Sequence, residues 1–122
     1  MSIEQTENEC AENAVGPRVS LADIELAIAA RYDVTADKAI GDHALGMPSL
    51  KLLSICLLVM RNGFTIIGKS APSSPKNFNA DLGRKLAYED AIRQAWPIMG
   101  YALRDRLFKV QTESLATAVA AI

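Results

Sequence analysis

The dipeptide Asn62-Gly63, set between two apolar runs, most constrains what this chain can fold into. Asn and Gly both tolerate a positive φ, which a tight two-residue hairpin turn requires, and β-branched residues follow the turn. We therefore predict a β-hairpin with arms at about 52–60 and 64–71. Because Leu and Met also suit helices, the first arm could instead be helical after Ser49.

The predicted arm at 52–60 is apolar on both faces, unlike a strand that turns one face to water. A two-stranded unit is too thin to bury both faces by itself. One face therefore needs cover from a helix of the same chain, and a second subunit is the simplest cover for the other face. We expect the protein to form a homo-oligomer.

Helical periodicity lies on both sides of the hairpin. Ser20 can cap a first helix at about 20–31, because apolar residues follow it at helical spacing. Asn79 can cap a second helical region that runs from Ala80 to about Lys109. Pro97 removes one backbone hydrogen bond inside this region, so we expect a kink or a break into two helices there. The predicted fold class is α+β, with an N-terminal helix, a β-hairpin and a long, kinked or broken C-terminal helix pair.

The chain has 122 residues, which is enough for one hydrophobic core. Residues 1–17 show no apolar period and end in Gly16-Pro17, so we predict a mobile tail there. A single α+β domain is expected over 18–110. The Ala-rich tail at 111–122 is too short to form a stable helix unless it docks on the domain.

Neither a membrane span nor a secretory signal is predicted. The longest apolar stretch, 52–60, is far shorter than the roughly 20 residues that cross a bilayer as a helix. The first residues carry glutamates and no basic region, which excludes a secretory signal. We therefore expect the protein to stay in the cytosol in which it is made.

The sequence lacks the residue patterns of a catalytic or metal centre. Cys10 and Cys56 have neither CxxC nor histidine spacing, so both are expected to be free thiols. The single histidine, His43, lies beside Asp42 in a polar loop without a nucleophile to activate. We expect a binding protein that uses no cofactor and no metal, and not an enzyme.

Charge is distributed unevenly along the chain, although the net charge is only −1. Residues 1–17 contain four glutamates and no basic group, whereas residues 51–109 contain ten basic and four acidic groups, a net charge of +6. This asymmetry favours an anionic ligand or partner. The alternative is a solvated basic face that binds nothing specific.

Four segments together resemble a known family. They are Arg61 to Ser70 (RNGFTIIGKS), Asn77-Phe78, Leu82 to Ala91 (LGRKLAYEDA) and Trp96 to Leu103 (WPIMGYAL). In this order and spacing they resemble the small accessory proteins of tailed phages and prophages named for members in coliphage N-four and Shigella phage Sf-six. The resemblance covers about residues 20–108 and implies a phage protein that acts in the host cytoplasm.

The hairpin followed by a helix is also similar, less closely, to phage anti-defence proteins known as sponges, in particular the first Thoeris anti-defence family. Those proteins assemble as oligomers and sequester cyclic ADP-ribose-type immune signals made by host TIR enzymes. Some of them also hold cyclic oligonucleotides of the kind used in CBASS defence. This resemblance implies that the chain binds a cyclic nucleotide-type small molecule without cleaving it.

A cyclic nucleotide presents phosphates and purine faces, which cationic groups, amide donors and flat apolar side chains can bind. The end of the predicted second strand, the Pro-stiffened loop and the start of the helix supply such groups. The predicted ligand-binding residues are Lys69, Ser70, Asn77, Phe78, Arg84 and Tyr88.

Each of these residues also has a structural alternative. Phe78 could anchor the helix as a hydrophobic staple, Asn77 could bond within the loop, and Tyr88 could belong to the core. Arg84 could be a packing partner of Asp81 or of Tyr88. Gly83 inside the helix costs roughly 1 kcal/mol relative to Ala, so close approach of another backbone or of a ligand would explain it.

A second function remains open, in which a basic hairpin and helix contact a host protein or nucleic acid. No helix-turn-helix pattern is present and aromatic residues make up only 6% of the chain, which argues against sequence-specific DNA binding. Binding that falls steeply with salt and ignores small nucleotides would favour this alternative.

Overall fold

The computed structural model describes residues 2–121, which form four α-helices and a three-stranded antiparallel sheet. Short 3-10 turns at Gly41–Ala44, Pro48–Leu52 and Pro75–Asn77 connect the main elements. In chain order the elements are α1 (Ile3–Asn13), α2 (Leu21–Ala27), β1 (Ile28–Thr35), α3 (Ala36–Ile40), β2 (Ser54–Met60), β3 (Thr65–Ser70) and α4 (Ala80–Ala120). The predicted α+β fold class is confirmed.

The predicted hairpin is present, formed by β2 and β3. The turn is not of the predicted two-residue type. The Met60 N–H donates to the Phe64 carbonyl at 2.8 Å, so residues 61–63 form a three-residue loop, closed by the Gly63 N–H, which donates to the Met60 carbonyl at 2.9 Å. Gly63 has a φ of +88°, whereas Asn62 does not have a positive φ. The helical alternative for the first arm is wrong, because only a 3-10 turn at Pro48–Leu52 precedes the strand. The side chains of β2 alternate between buried and half-buried, as they do in a central strand.

The predicted first helix at 20–31 is wrong from Ile28 onward. Ser20 caps α2 as expected, accepting a hydrogen bond from the Asp23 N–H at 3.1 Å, but the helix ends at Ala27. The next eight residues form β1, which pairs with β2. Ile28 and Tyr32 fit a helical period, but Ala30, Tyr32 and Val34 also alternate as in a strand. Pairing with β2 decides between the two periods.

The second helical region is one helix, α4, and not a pair. It continues through Pro97 and includes residues 111–120, which were expected to form a separate tail. Ala95, Trp96 and Met99 pack against the core on either side of the proline, so tertiary contacts offset the lost backbone bond.

Residues 3–13 form helix α1 where a mobile tail was expected. Ser2 and Gln5 form a capping box, and the Ile3 side chain is buried in the core. Glu7 accepts a hydrogen bond from the Arg18 guanidinium and another from the Leu21 N–H, the latter at 2.7 Å. Helix α1 is therefore held by one buried apolar residue, Ile3, and one half-buried carboxylate, Glu7, and neither of them produces an apolar period.

Helix α4 covers one face of the sheet and, with α2, encloses the core. Ile24 of α2, Cys56 and Leu58 of β2 and Ile92 of α4 are fully buried at its centre. Within residues 2–121 no helix is long and apolar enough to cross a membrane.

The opposite face of the sheet carries no covering element among the described residues. We call it the open face, and its side chains are mostly apolar and half-buried or exposed. They are Ala30, Tyr32, Val34, Ile55, Leu57, Val59, Thr65, Ile67 and Lys69. The sequence-based expectation of apolar side chains on both faces is confirmed.

Candidate functional site at the N-terminus of the long helix

Two small cavities flank the N-terminus of α4. The first has a volume of about 90 Å³ and is lined by Ser70 at the end of β3 and by Asn77 and Phe78 in the following loop. The second has a volume of about 120 Å³ and is lined by Lys38 of α3 and Arg84 of α4. Both cavities are lined by Ser54, the first residue of β2, so we call them together the two-cavity site.

Local sequence sets the start of α4 at this site. The Asn79 side chain accepts a hydrogen bond from the Leu82 N–H at 3.1 Å, which caps the helix. Before it, the Ser74 hydroxyl accepts from the Lys76 N–H at 3.4 Å and holds the short turn Pro75–Asn77. The loop that presents Asn77 and Phe78 is therefore fixed at both ends.

Gly83 brings α4 close to the sheet between the two cavities. A Cβ atom placed on Gly83 would lie 2.4 Å from the Ser54 Oγ, so the Ser54 side chain would have to shift to make room for it. Gly83 therefore allows the close packing of Ser54, which is 3% exposed. The predicted close approach to another backbone or to a ligand is not what the structure shows, because the atoms nearest to Gly83 belong to the Ser54 side chain.

The second cavity is lined by two cationic side chains, Lys38 and Arg84, and by one carboxylate, that of Asp33. Arg84 forms a salt bridge with Asp81 one turn earlier, and both side chains are largely exposed. Lys38 forms no salt bridge within residues 2–121. Because Asp81 is on the surface, its pairing with Arg84 is weak, and an anionic ligand can compete for the guanidinium.

The structure brings four of the six predicted residues to this site. Ser70, Asn77 and Phe78 line one cavity, and Arg84 lines the other. Lys69 lies on the open face, where it is paired with Ile55, and so is directed away from both cavities.

Tyr88 is also outside the site. Its ring lies beneath the Arg31 guanidinium, 4.1 Å from the ring centroid, and burial raises the pKa of its hydroxyl. This contact joins β1 to α4 and matches the structural alternative for Tyr88.

Sequence reasoning missed Lys38 and Ser54. Lys38 lies 46 positions before Arg84, in α3, and it reaches the site only because β1 joins the sheet. Ser54 is one polar residue in an apolar run. A polar residue at an inward position of a buried strand is the one signal that could have marked it.

A larger cavity of about 270 Å³ lies at the other end of the sheet, beside the hairpin turn. Its lining is mainly apolar and includes Phe64 and Met99, with Arg61 and Arg106 also contributing. The Arg61 side chain is held by a hydrogen bond to the Leu26 carbonyl. None of the six predicted ligand-binding residues lines this cavity.

Within residues 2–121 no three His, Cys, Asp or Glu side chains lie close enough together to hold a metal ion. Cys10 is exposed and Cys56 is buried, and both are free thiols. Burial raises the pKa of Cys56 to about 11, so the thiol stays protonated at neutral pH and is a poor nucleophile.

Comparison with known proteins gave one match. No curated protein and no solved structure matches the chain. The family described as "Phage protein (N4 Gp49/phage Sf6 gene 66) family" matches residues 19–107, which span β1, the hairpin, the two-cavity site and the first two-thirds of α4. The chain therefore belongs to this phage protein family.

Proposed function

We propose that this phage protein binds a cyclic nucleotide-type signal at the two-cavity site and sequesters it without cleaving it. The observation that carries the proposal is the convergence of a cation, amide and hydroxyl groups and an aromatic ring from distant segments at the N-terminus of α4. Free backbone N–H groups and the helix dipole favour an anion at such an end.

Each side chain has a role in this proposal. Arg84 and Lys38 bind phosphate oxygens, Asn77 and Ser70 hydrogen-bond the ribose or base, and Phe78 supplies a flat face for a purine. The resemblance to the Thoeris anti-defence sponges supplies the ligand class. Lowering the free concentration of a host immune signal would block the defence that depends on it.

The sizes of the cavities set how such a ligand would bind. Volumes of about 90 and 120 Å³ are below the roughly 300–1,000 Å³ typical of pockets that enclose a ligand. One protomer therefore supplies a half-site, with phosphate in the second cavity and the base across Phe78. We propose that a homo-oligomer completes the site.

Isothermal titration calorimetry with cyclic ADP-ribose isomers and with cyclic di- and trinucleotides tests this function. We expect at least one to bind with a micromolar or tighter Kd, and to be recovered intact after the complex is denatured. Absence of heat with every one of these compounds at about 50 μM protein would refute nucleotide sequestration. Recovery of a cleaved product would refute storage without turnover.

A second candidate is an interaction protein that binds a host protein or nucleic acid through a basic surface. The larger cavity beside the hairpin favours a protein partner, because Phe64 and Met99 offer an apolar surface between Arg61 and Arg106. The double substitution of Arg61 and Arg106 by Ala would abolish such binding while leaving nucleotide binding at the two-cavity site unchanged. Nucleotide binding that is unchanged, with no host protein or nucleic acid bound by the wild type, would favour the sponge.

A further inference from the structure

The two edges of the sheet differ in whether other parts of the chain hydrogen-bond to them. At the outer edge of β3, side chains of α4 pair with the strand backbone. The Asp90 Oδ2 accepts a hydrogen bond from the Lys69 N–H at 3.0 Å, and the Gln94 Nε2 donates to the Ile67 carbonyl at 2.8 Å. These contacts block the addition of another strand at this edge.

Among the described residues, no side chain hydrogen-bonds the outer edge of β1 in this way. The Ala36 N–H donates to the Leu53 carbonyl at 2.9 Å, which continues the β1–β2 ladder and fixes its alternation. The backbone groups of Arg31 and Asp33 therefore point away from β2. Within residues 2–121 no hydrogen bond reaches those outward groups, and both residues are exposed. A strand of eight residues with a bare edge is a template for another strand.

We propose that β1 pairs antiparallel with β1 of a second copy of this chain, on a two-fold axis at Tyr32. Antiparallel pairing of a strand with itself is the arrangement that a two-fold axis requires. In this register Arg31 lies opposite Asp33 of the second copy, and Asp33 opposite its Arg31. The two three-stranded sheets become one six-stranded sheet.

Charge selects this register over its neighbours. Outward-facing residues must pair with outward-facing residues, so the strands can slide only in steps of two. One step in one direction places Arg31 opposite Arg31, and one step in the other places Asp33 opposite Asp33. Like charges directly opposite one another destabilise a strand pair, whereas opposite charges stabilise it.

The remaining side chains fit the same register. In a single chain the Arg31 Nε lies 3.1 Å from an Asp33 carboxylate oxygen, so the paired strands would hold two cations and two anions in one closed cluster. On the open face Tyr32, which is 59% exposed, meets Tyr32 of the second copy, and Ala30 lies opposite Val34. Aromatic cross-strand pairs of this kind stabilise sheets.

Charge exchange between two variants tests the pairing. Analytical ultracentrifugation is expected to show a dimer for the wild type and a Kd at least about tenfold weaker for Asp33→Arg and for Arg31→Asp alone. An equimolar mixture of the two variants is expected to recover the wild-type affinity, because each strand then faces opposite charges. Circular dichroism of each variant confirms that the monomer fold is kept.

Cysteine cross-linking tests the register. In a Cys10→Ser background, Tyr32→Cys is expected to form a disulfide-linked dimer on mild oxidation, because residues at the axis lie about 4.5 Å apart between Cα atoms. Val34→Cys is on the same face and strand, but in this register residue 34 lies opposite residue 30 of the second copy. Its own counterpart is four residues further along that strand, so the thiol should remain reduced. Cross-linking at Val34 but not at Tyr32 would overturn the proposed register.

Three results would overturn the proposed interface. They are a wild-type protein that stays monomeric at about 100 μM, an Asp33→Arg variant that dimerises as tightly as the wild type, and a mixture that recovers no affinity. None of these measurements uses a nucleotide, so the failure of this interface and the failure of the proposed function are distinguishable.

Discussion

Gly68 of β3 lies directly against the backbone of Ala87 in α4. A Cβ atom placed on Gly68 would come within 2.1 Å of the Ala87 carbonyl oxygen and 2.8 Å of the Ala91 Cβ. The sheet and the long helix thus approach one another at a distance that only glycine allows. Since Ala87 and Ala91 are both fully buried, neither can move aside without opening the core.

Replacing Gly68 by Ala is expected to lower the free energy of unfolding by about 1–3 kcal/mol, because the helix must shift outward. Gly100→Ala is the matched control, since a Cβ there would meet no atom within 4 Å. In the control we expect a gain of about 0.5–1 kcal/mol from helix propensity. Urea denaturation measures both, and equal effects would contradict the proposed close packing.

The indole of Trp96 ties α4 to the segment before α2. Its Nε1 donates to the Val19 carbonyl at 3.0 Å across 77 positions of sequence. Trp96→Phe keeps an aromatic ring but leaves this carbonyl without its donor, and we expect a loss of about 1–2 kcal/mol in thermal denaturation. Tyr101→Phe, at a side chain 77% exposed, should change stability by less than about 0.5 kcal/mol. A comparable loss in both would argue against the hydrogen bond.

Acid should weaken the attachment of α1. The hydrogen bond from Arg18 lowers the pKa of Glu7 below its ordinary value of 4.5, and the Leu21 N–H lowers it further. A carboxyl whose pKa is lower in the folded state stabilises the protein above its unfolded pKa, and this contribution is lost as the pH falls through the folded pKa. Stability should therefore decline as the pH drops below about 4.5.

The variant Glu7→Gln isolates this contribution. It should be less stable than the wild type near neutral pH, and the difference should narrow as the pH falls below 4.5, because the wild-type carboxyl then becomes neutral as well. Glu9→Gln, at an exposed position of the same helix, is the control and should match the wild type throughout. A difference that widens in acid would contradict the assignment. The stabilities of the wild type and both variants can be compared from urea denaturation midpoints measured between pH 7 and about pH 3.

Ligand affinity should depend on whether a positive charge is removed from the two-cavity site or from the open face. Arg84→Ala removes a guanidinium from the two-cavity site and is expected to weaken binding of the best nucleotide at least about tenfold. Lys69→Ala removes one positive charge from the open face, so it changes net charge equally but should leave the Kd unchanged. Equal losses in calorimetry would indicate long-range attraction to the basic half and not a contact at the site.

Local signals in the sequence were enough for the elements that depend on local chemistry. Asn62-Gly63 indicated the position of the hairpin turn, although not its type, and Ser20 and Asn79 indicated two helix starts, because turns and caps depend on a few neighbouring residues. The four segments from Arg61 to Leu103 also gave the family resemblance that the match over residues 19–107 confirms. Ser70, Asn77 and Phe78 lie close in the chain, and their grouping in one cavity follows that closeness.

Tertiary structure decided what depends on distant partners. Residues 28–35 fit both a helical and a strand period, and pairing with β2 makes them a strand. Pro97 would break an isolated helix, but packing of residues on both sides of it keeps α4 continuous. Lys38 lies near Arg84 at the site only because β1, which precedes Lys38, pairs with β2. Lys69 lies outside the site because strand side chains alternate between the two faces of the sheet, and Lys69 is on the open face. Such outcomes are set by contacts between residues far apart in the chain, for which the local pattern carries no signal.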